Sequence, residues 1–160
     1  MVILGTLGAV VSSIIFRAVQ DYATVSAGSQ VQFDLSSAMD RVDRELREIA
    51  LKAGGGVRPD ITSVNPTAII FATSKSFALS GTQLLFTDSA GGPLPLLDNV
   101  SAFNVQAFDQ SNASLGASVS GAACDNIRRL LVTITVTRAG ATDSLRTKIF
   151  LRNTMSGAGS

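Results

Sequence analysis

The sequence predicts an α+β fold, a long N-terminal helix packed against a C-terminal antiparallel β-sheet. Three observations predict it. A helical pattern runs from the first residue to Ala53, and its first sixteen residues are uncharged. From Val31 the apolar residues recur at spacings of three and four, the mark of a helix with one buried face. Beyond Gly56 the period falls to two, and only β-type sequence follows. A helix followed by a run of strands is the α+β order. Residues 1–56 are therefore expected to form a helical spine, with an apolar segment at 1–19 and an amphipathic half at 31–53. Residues 57–160 are expected to form a β-rich globular head.

The spine divides by chemistry. As a helix, residues 1–16 extend about 24 Å, short of the ~30 Å hydrocarbon core of a bilayer. They lack the positive n-region of a secretory signal peptide. Residues 20–30 (QDYATVSAGSQ) are small and polar, and Gly28 is the expected point of any kink. Val31, Leu35, Met39 (with Ala38), Val42, Leu46, Ile49 and Ala53 then make one apolar stripe. The opposite face carries Asp40, Arg41, Asp43, Arg44, Glu45, Arg47 and Glu48. Asp40–Arg44 and Asp43–Arg47 have the acid one turn ahead of the base, the better orientation, worth about 0.2–0.5 kcal/mol a pair. Gly54-Gly55-Gly56 is the expected stop, and Pro59 blocks an early restart. The stripe reads as a core-facing surface, in which each buried Leu, Ile or Val contributes about 1.5–3 kcal/mol.

In the head, residues 67–72 (TAIIFA) and 82–87 (TQLLFT) read as short strands separated by a turn at Ser80-Gly81. Ala90-Gly91-Gly92-Pro93 reads as a loop. Residues 100–109 (VSAFNVQAFD) read as a longer strand with Phe103 and Val105 on one face. Residues 110–126, rich in Ser, Ala, Gly and Asn, read as a surface loop. The clearest strand alternates Leu130, Val132, Ile134 and Val136 with Leu131, Thr133, Thr135 and Thr137. After a loop at 139–143, residues 145–151 place Leu145, Ile149 and Leu151 on one face and Arg146 and Lys148 on the other. These last two strands are expected to pair as an antiparallel hairpin. Residues 154–160 read as a frayed tail.

Composition excludes several chemistries. There is no histidine, which removes Ser-His-Asp and Cys-His catalysis and the commonest nitrogen ligand of zinc. Cys124 is the only cysteine, so no intramolecular disulfide forms, and it reads as a partly buried, inert thiol. Net charge is +1 and the basic residues are scattered, so bulk electrostatics gives no nucleic-acid signal. The acidic residues supply possible carboxylate pairs for acid–base work, for example Asp98 with Asp109, and nothing in the spacing shows a shared cleft. Asp98, Asn99, Asp109 and Asn112 match no EF-hand loop, and turn chemistry explains them better than calcium. Asn112-Ala113-Ser114 matches a glycosylation triplet, which is short enough to arise by chance.

Four stretches, in this order, resemble the type IV pilin superfamily, and within it minor pilins of the PilW type and minor pseudopilins of the GspJ type. MVILGTLGAVVSSIIF looks like the later part of the pilin hydrophobic helix. DLSSAMDRVDRELREIA is similar to the helix that leads into the globular head. LPLLDNVSAFNVQAFDQSN resembles a strand region that often reads L-D-x-V…F…D. IRRLLVTITV followed by LRTKIFLRN resembles the final hairpin, which commonly ends in an Arg-Asn pair, here Arg152-Asn153. The chain departs from the family at its start. The leader ending in Gly and the following Phe-Thr-Leu-Ile-Glu have no counterpart, and Gly5 stands where the mature family has its glutamate. The resemblance implies that a leader and about ten residues of helix precede this sequence, giving about 25 apolar residues, enough to span a bilayer. Leader cleavage and N-methylation are implied for that longer form.

The resemblance implies a structural subunit rather than an enzyme: a minor pilin or pseudopilin of a type IV pilus or type II secretion pseudopilus, in a tip or assembly-initiating complex. Its implied partners are other pilin or pseudopilin subunits, in a hetero-oligomer. Its implied place before assembly is the bacterial inner membrane, with the head in the periplasm. Val2, Ile3, Leu4, Leu7, Val10, Val11, Ile14, Ile15 and Phe16 would pack in the membrane or filament core, where Gly5, Gly8 and Ala9 allow close approach. Val31, Leu35, Met39, Val42, Leu46 and Ile49 would hold the helix on the sheet. No catalytic residue, cofactor or metal is expected, and nucleic acid is not an expected partner. The competing expectation is a membrane-tethered binding module, a tip adhesin or DNA-uptake subunit, whose surface would be the 110–126 loop with Arg128 and Arg129. Neighbouring arginines in a strand point to opposite faces, so only one of them would reach a ligand.

Overall fold

The computed structural model describes residues 2–53, 57–138 and 140–151; the side chains of residues 2–11, 13, 21, 23, 24, 27 and 73 lie outside that description. The helix α1 spans Val2–Arg47, and its backbone stays helical through residues 20–30, including Gly28. Strands follow at β1 (Ile61–Asn65), β2 (Ala68–Phe71), β3 (Lys75–Ser80), β4 (Gln83–Thr87), β5 (Pro93–Leu97), β6 (Val100–Phe108), β7 (Val119–Ser120), β8 (Arg129–Arg138) and β9 (Ala141–Phe150). They form two antiparallel sheets. One has six strands in the order β5-β4-β3-β2-β1-β7, and the other three in the order β6-β8-β9.

This corrects the expected α+β layout of a long helix laid on one sheet. The packed body is mostly β and has two sheets, and α1 gives it only about 20 residues at its N-terminal side. The physical reason lies in what each part of the helix can bury. From Val31 onward one face is apolar and meets the sheets, whereas every described side chain between residues 12 and 26 is exposed.

The helix also stops earlier than its stripe suggests. It ends at Arg47 rather than Ala53. The Glu48 N–H still donates to the Arg44 carbonyl at 3.2 Å, and the Ile49 N–H to that of Leu46 at 3.5 Å. Then tertiary pairing takes the backbone away. The Lys52 N–H donates to the Arg58 carbonyl and the Asp60 N–H to the Ala50 carbonyl, both at 2.8 Å, while Leu51 bridges to Pro59. Ile49 stays buried and Ala53 is exposed. Gly54, Gly55 and Gly56 lie outside the described residues.

Four strands went unread in the sequence. β5 (PLPLL) carries two prolines, which argue against a central strand; it is an edge strand bonded to β4 alone, where a missing N–H is tolerated. β1 and β3 are short and half polar, and gain their identity from neighbours: β1 pairs with β2 and β7, β3 with β2 and β4. β7 and the 3₁₀ turn Gly121–Asn126 lie inside the stretch expected to be loop. The expected loop at 139–143 is shorter, because β9 begins at Ala141 and pairs with Arg138 around Gly140, whose φ of 82° suits glycine. The expected tail at 154–160 lies outside the described residues.

The core is one continuous cluster. The helix brings Val31, Leu35, Ala38, Met39, Val42 and Leu46 to it, and Ile49 joins just beyond its end; β8 brings Leu130, Val132, Ile134 and Val136. From β6 come Val100, Phe103, Val105 and Ala107; the irregular register between Val100 and Ala102 lets even- and odd-numbered positions share the inner face. Phe77 lies between Phe71 and Phe86, with centroids 5.9 and 4.9 Å away. Two residues depart from the expected alternation. Leu131 is buried on the mostly threonine face, and Leu145, on the edge strand β9, is exposed. Because Leu46 is fully buried, Leu46→Ala is expected to lower stability by about 2–5 kcal/mol. Urea unfolding measures it, and a loss below about 1 kcal/mol contradicts this packing.

Candidate assembly face on the helix

An α-helix turns about 100° per residue, so the side on which each side chain emerges follows from its number. Val31, Leu35, Ala38, Met39, Val42 and Leu46 fall within a sector about 100° wide, and all are buried. Ile15, Val19, Tyr22 and Phe33 fall within about 60° of one another, on the side about 180° away. All four are exposed, Tyr22 at 77% and Phe33 at 74%. Ile14, Phe16 and Val25 are exposed too, at bearings between the two sectors and nearer the edges of the buried one. Upstream, the side that continues the buried face bears Arg17 and Gln20 instead. The helix therefore has two apolar faces on opposite sides: one filled by its own sheets, the other turned outward.

The outward stripe is not uniform. Ser26 and Ser29 occupy it between Tyr22 and Phe33, and the Ser29 hydroxyl donates to the Val25 carbonyl at 3.1 Å. At its lower end Phe33 meets the edge strand β5. Two open clefts, of about 310 and 530 Å³, share Phe33, Ser37 and Leu96 in their walls. Asp34, Asp98 and Arg138 line the smaller, with Arg138 3.6 Å from Asp34; Asp40, Arg41 and Arg44 line the larger. Leu94 is exposed on the same strand, adding to the apolar surface. An exposed patch of large apolar side chains rimmed by charge is the form of a binding surface.

Polar clamps fix the helix against the body, and so fix which face looks outward. Glu45 is central. Its side chain is 12% exposed, Arg41 lies 3.2 Å from one carboxylate oxygen, and Lys75 of β3 donates to the other at 3.1 Å. Arg41 also lies over the Phe86 ring, 5.2 Å from its centroid. The hydrogen bond to Glu45 raises the Lys75 pKa. Arg47 and Asp43 pair at 2.6 Å, so of the two pairs expected along the helix this one forms, and Arg41–Glu45 stands beside it in place of Asp40–Arg44. The segment after the helix has its own clamp: Lys52 donates to Asp125 at 2.8 Å, with Arg58 3.8 Å away, and the Lys52 bond holds the Asp125 carboxyl below its usual range.

Val31, Leu35, Met39, Val42, Leu46 and Ile49 are brought together beneath the helix. Ile14, Ile15 and Phe16 are exposed. Val2, Ile3, Leu4, Leu7, Val10 and Val11 belong to the helical backbone, as do Gly5, Gly8 and Ala9, but the side chains of this segment lie outside the described residues. Phe33 was missed by sequence reasoning, although its offset of two from both Val31 and Leu35 already places it on the opposite side.

The other candidates separate. Arg128 donates to the Asp125 and Ile127 carbonyls at 2.7 and 3.0 Å, while Arg129 donates to Asn112 at 3.0 Å. Asp98 and Asp109 flank the two ends of β6, whose nine residues hold them about 30 Å apart. They share no cleft. Cys124 is buried, its Sγ is 3.5 Å from the Thr62 carbonyl, and burial pushes its thiol pKa up. Among the described residues no group of three or more His, Cys, Asp or Glu is placed to hold a metal, and no helix is long and apolar enough to cross a membrane.

No protein-family model matches this chain, and no curated protein does.

The clamps give stability a defined pH dependence. Asp125 has a lowered pKa, so its contribution is present above its ordinary value of 3.8 and is lost as pH falls through and below it. Lys75 has a raised pKa, so its contribution is present below its ordinary value of 10.5 and is lost as pH climbs above it. Urea midpoints measured from about pH 6 down to about pH 2 are expected to fall, and Asp125→Asn to flatten part of that fall. Equal slopes for both proteins would show that the Lys52–Asp125 clamp carries no acid-sensitive stability.

Proposed function

We propose that this chain is a structural assembly subunit, of the minor pilin or pseudopilin kind, that joins other subunits through the outward face of its N-terminal helix. The observation that carries the reading is the position of Ile15, Val19, Tyr22 and Phe33. They are exposed on the side of α1 opposite the one its own sheets fill. Exposed apolar side chains in helical register gain free energy only when something else covers them. A neighbouring helix of the same type supplies such a cover, and the small residues Gly5, Gly8 and Ala9 upstream suit close helix approach. The motif order that resembles pilins supports the same class. In this reading the apolar segment rests in the bacterial inner membrane before assembly, the head lies in the periplasm, and assembly exchanges lipid contacts for helix–helix contacts.

The test uses the outward face itself. A photo-crosslinking side chain placed at Tyr22, in cells that make the assembly, is expected to capture a second subunit that also begins with an apolar helix. Val19→Asp is expected to cut that capture by about ten-fold, by placing a charge in an apolar contact, while the unfolding midpoint of the body stays unchanged. Capture of lipid alone, or a Val19→Asp protein that crosslinks as well as the parent, contradicts the proposal.

A further inference from the structure

The outer face of the three-stranded sheet gathers cations around one neutral oxygen. In the register of β6, β8 and β9, Phe108, Arg129 and Phe150 lie side by side across the strands. Lys148 is one rung further along the same face, opposite Leu131, and Arg146 one rung beyond that, opposite Thr133. Arg129 Nη1 and Lys148 Nζ both donate to Asn112 Oδ1, at 3.0 and 2.8 Å. The two cations are thus held within about 6 Å of each other by an oxygen without formal charge. The Arg129 guanidinium lies 5.3 Å from the Phe150 centroid, and Lys148 Nζ 5.6 Å from that of Phe108. Arg129 Nε is buried and has no hydrogen-bond partner among the described residues. The Asp109 carboxylate is near enough to feel the Arg129 charge, and its Oδ1 accepts from the Ser111 hydroxyl and the Ala113 N–H, both at 2.8 Å.

We propose that Arg129 and Lys148 form an oxyanion site, which takes a phosphate or carboxylate borne on a flat apolar body that rests against the exposed Phe150 ring. An oxyanion replaces the Asn112 amide oxygen between the cations, turning two bonds to a neutral acceptor into two charge-assisted ones. The guanidinium fork can present a second N–H to the same anion, which Asn112 alone does not use. Arg146 adds positive potential along the rung above. Asn112 has a φ of 67°, a left-handed conformation that glycine adopts without strain, so Asn112→Gly removes the amide and keeps the backbone. This site is on a different surface from the helix face and stands independently of the assembly proposal.

The test is a titration of the full chain with sodium phosphate, phenyl phosphate and benzoate at constant ionic strength. NMR follows the Arg129 Nε–H and the Asn112 side-chain amide. Saturable shifts of both signals are expected, with phenyl phosphate binding about ten-fold more tightly than inorganic phosphate because its ring meets Phe150. Lys148→Gln is expected to weaken phenyl phosphate by about ten-fold, and Asn112→Gly to tighten it by roughly three-fold, because the competing amide is gone. Shifts no larger than those given by sodium chloride, or a Lys148→Gln protein that binds as the parent does, overturn the site. An Asn112→Gly protein with unchanged or lower affinity overturns the displacement. Equal binding of phosphate and phenyl phosphate overturns the ring-bearing ligand.

Discussion

The seating of one helical face, Val31 through Leu46, against the sheets is the interaction on which the rest of the molecule depends. Each of those side chains is almost wholly removed from water, and each contributes about 1.5–3 kcal/mol when fully buried. An exposed ion pair contributes at most about 1 kcal/mol. The apolar stripe therefore decides that the helix docks, and through the 3.6-residue turn it decides which side remains outside. Phe33 is exposed because Val31, Leu35, Val42 and Leu46 are not; Ile15, Val19 and Tyr22 share its side of the helix further up, where every described side chain is exposed.

The polar contacts act on orientation. A smooth apolar stripe tolerates small rotations of a helix over a sheet. Glu45 does not, because its two oxygens are held by Arg41 of its own helix and by Lys75 of β3. Arg41 is held in turn over Phe86 of β4. This network ties α1 to the six-stranded sheet, while Arg138 approaches Asp34 from the end of β8, in the three-stranded sheet. The helix is braced from both sheets, and that bracing keeps the second apolar face directed away from the body.

The parts of the fold legible in the sequence are those where one chemical pattern decides. The stripe from Val31 to Ile49 and the alternation from Leu130 to Val136 need no neighbour to be recognised, because burial on one side imposes the period. Elements settled by neighbours were not legible. β5 contains two prolines and exists because β4 offers it an edge; β1 and β7 define each other; the helix end is set by the pairing of residues 50–60. The division into two sheets was hidden for the same reason, since strand order across 100 residues leaves no local trace. At the site, Ile14, Ile15 and Phe16 were legible as apolar, but their bearing relative to the sheet was not. Phe33 was assigned to no face, although its angle to Val31 and Leu35 sets it opposite them. The convergence of Arg129 and Lys148 on Asn112 depends on strand register and a loop conformation, neither of which the scattered basic residues announce.

The central claim is that α1 has two opposed apolar faces, one filled by its own body and the other by a neighbouring subunit. Hydroxyl-radical footprinting of the chain alone and of the assembly tests it most directly. The account predicts that Met39 is protected in both states, whereas Tyr22 and Phe33 are oxidised in the chain alone and protected in the assembly. Oxidation of Tyr22 and Phe33 to the same extent in both states would contradict it.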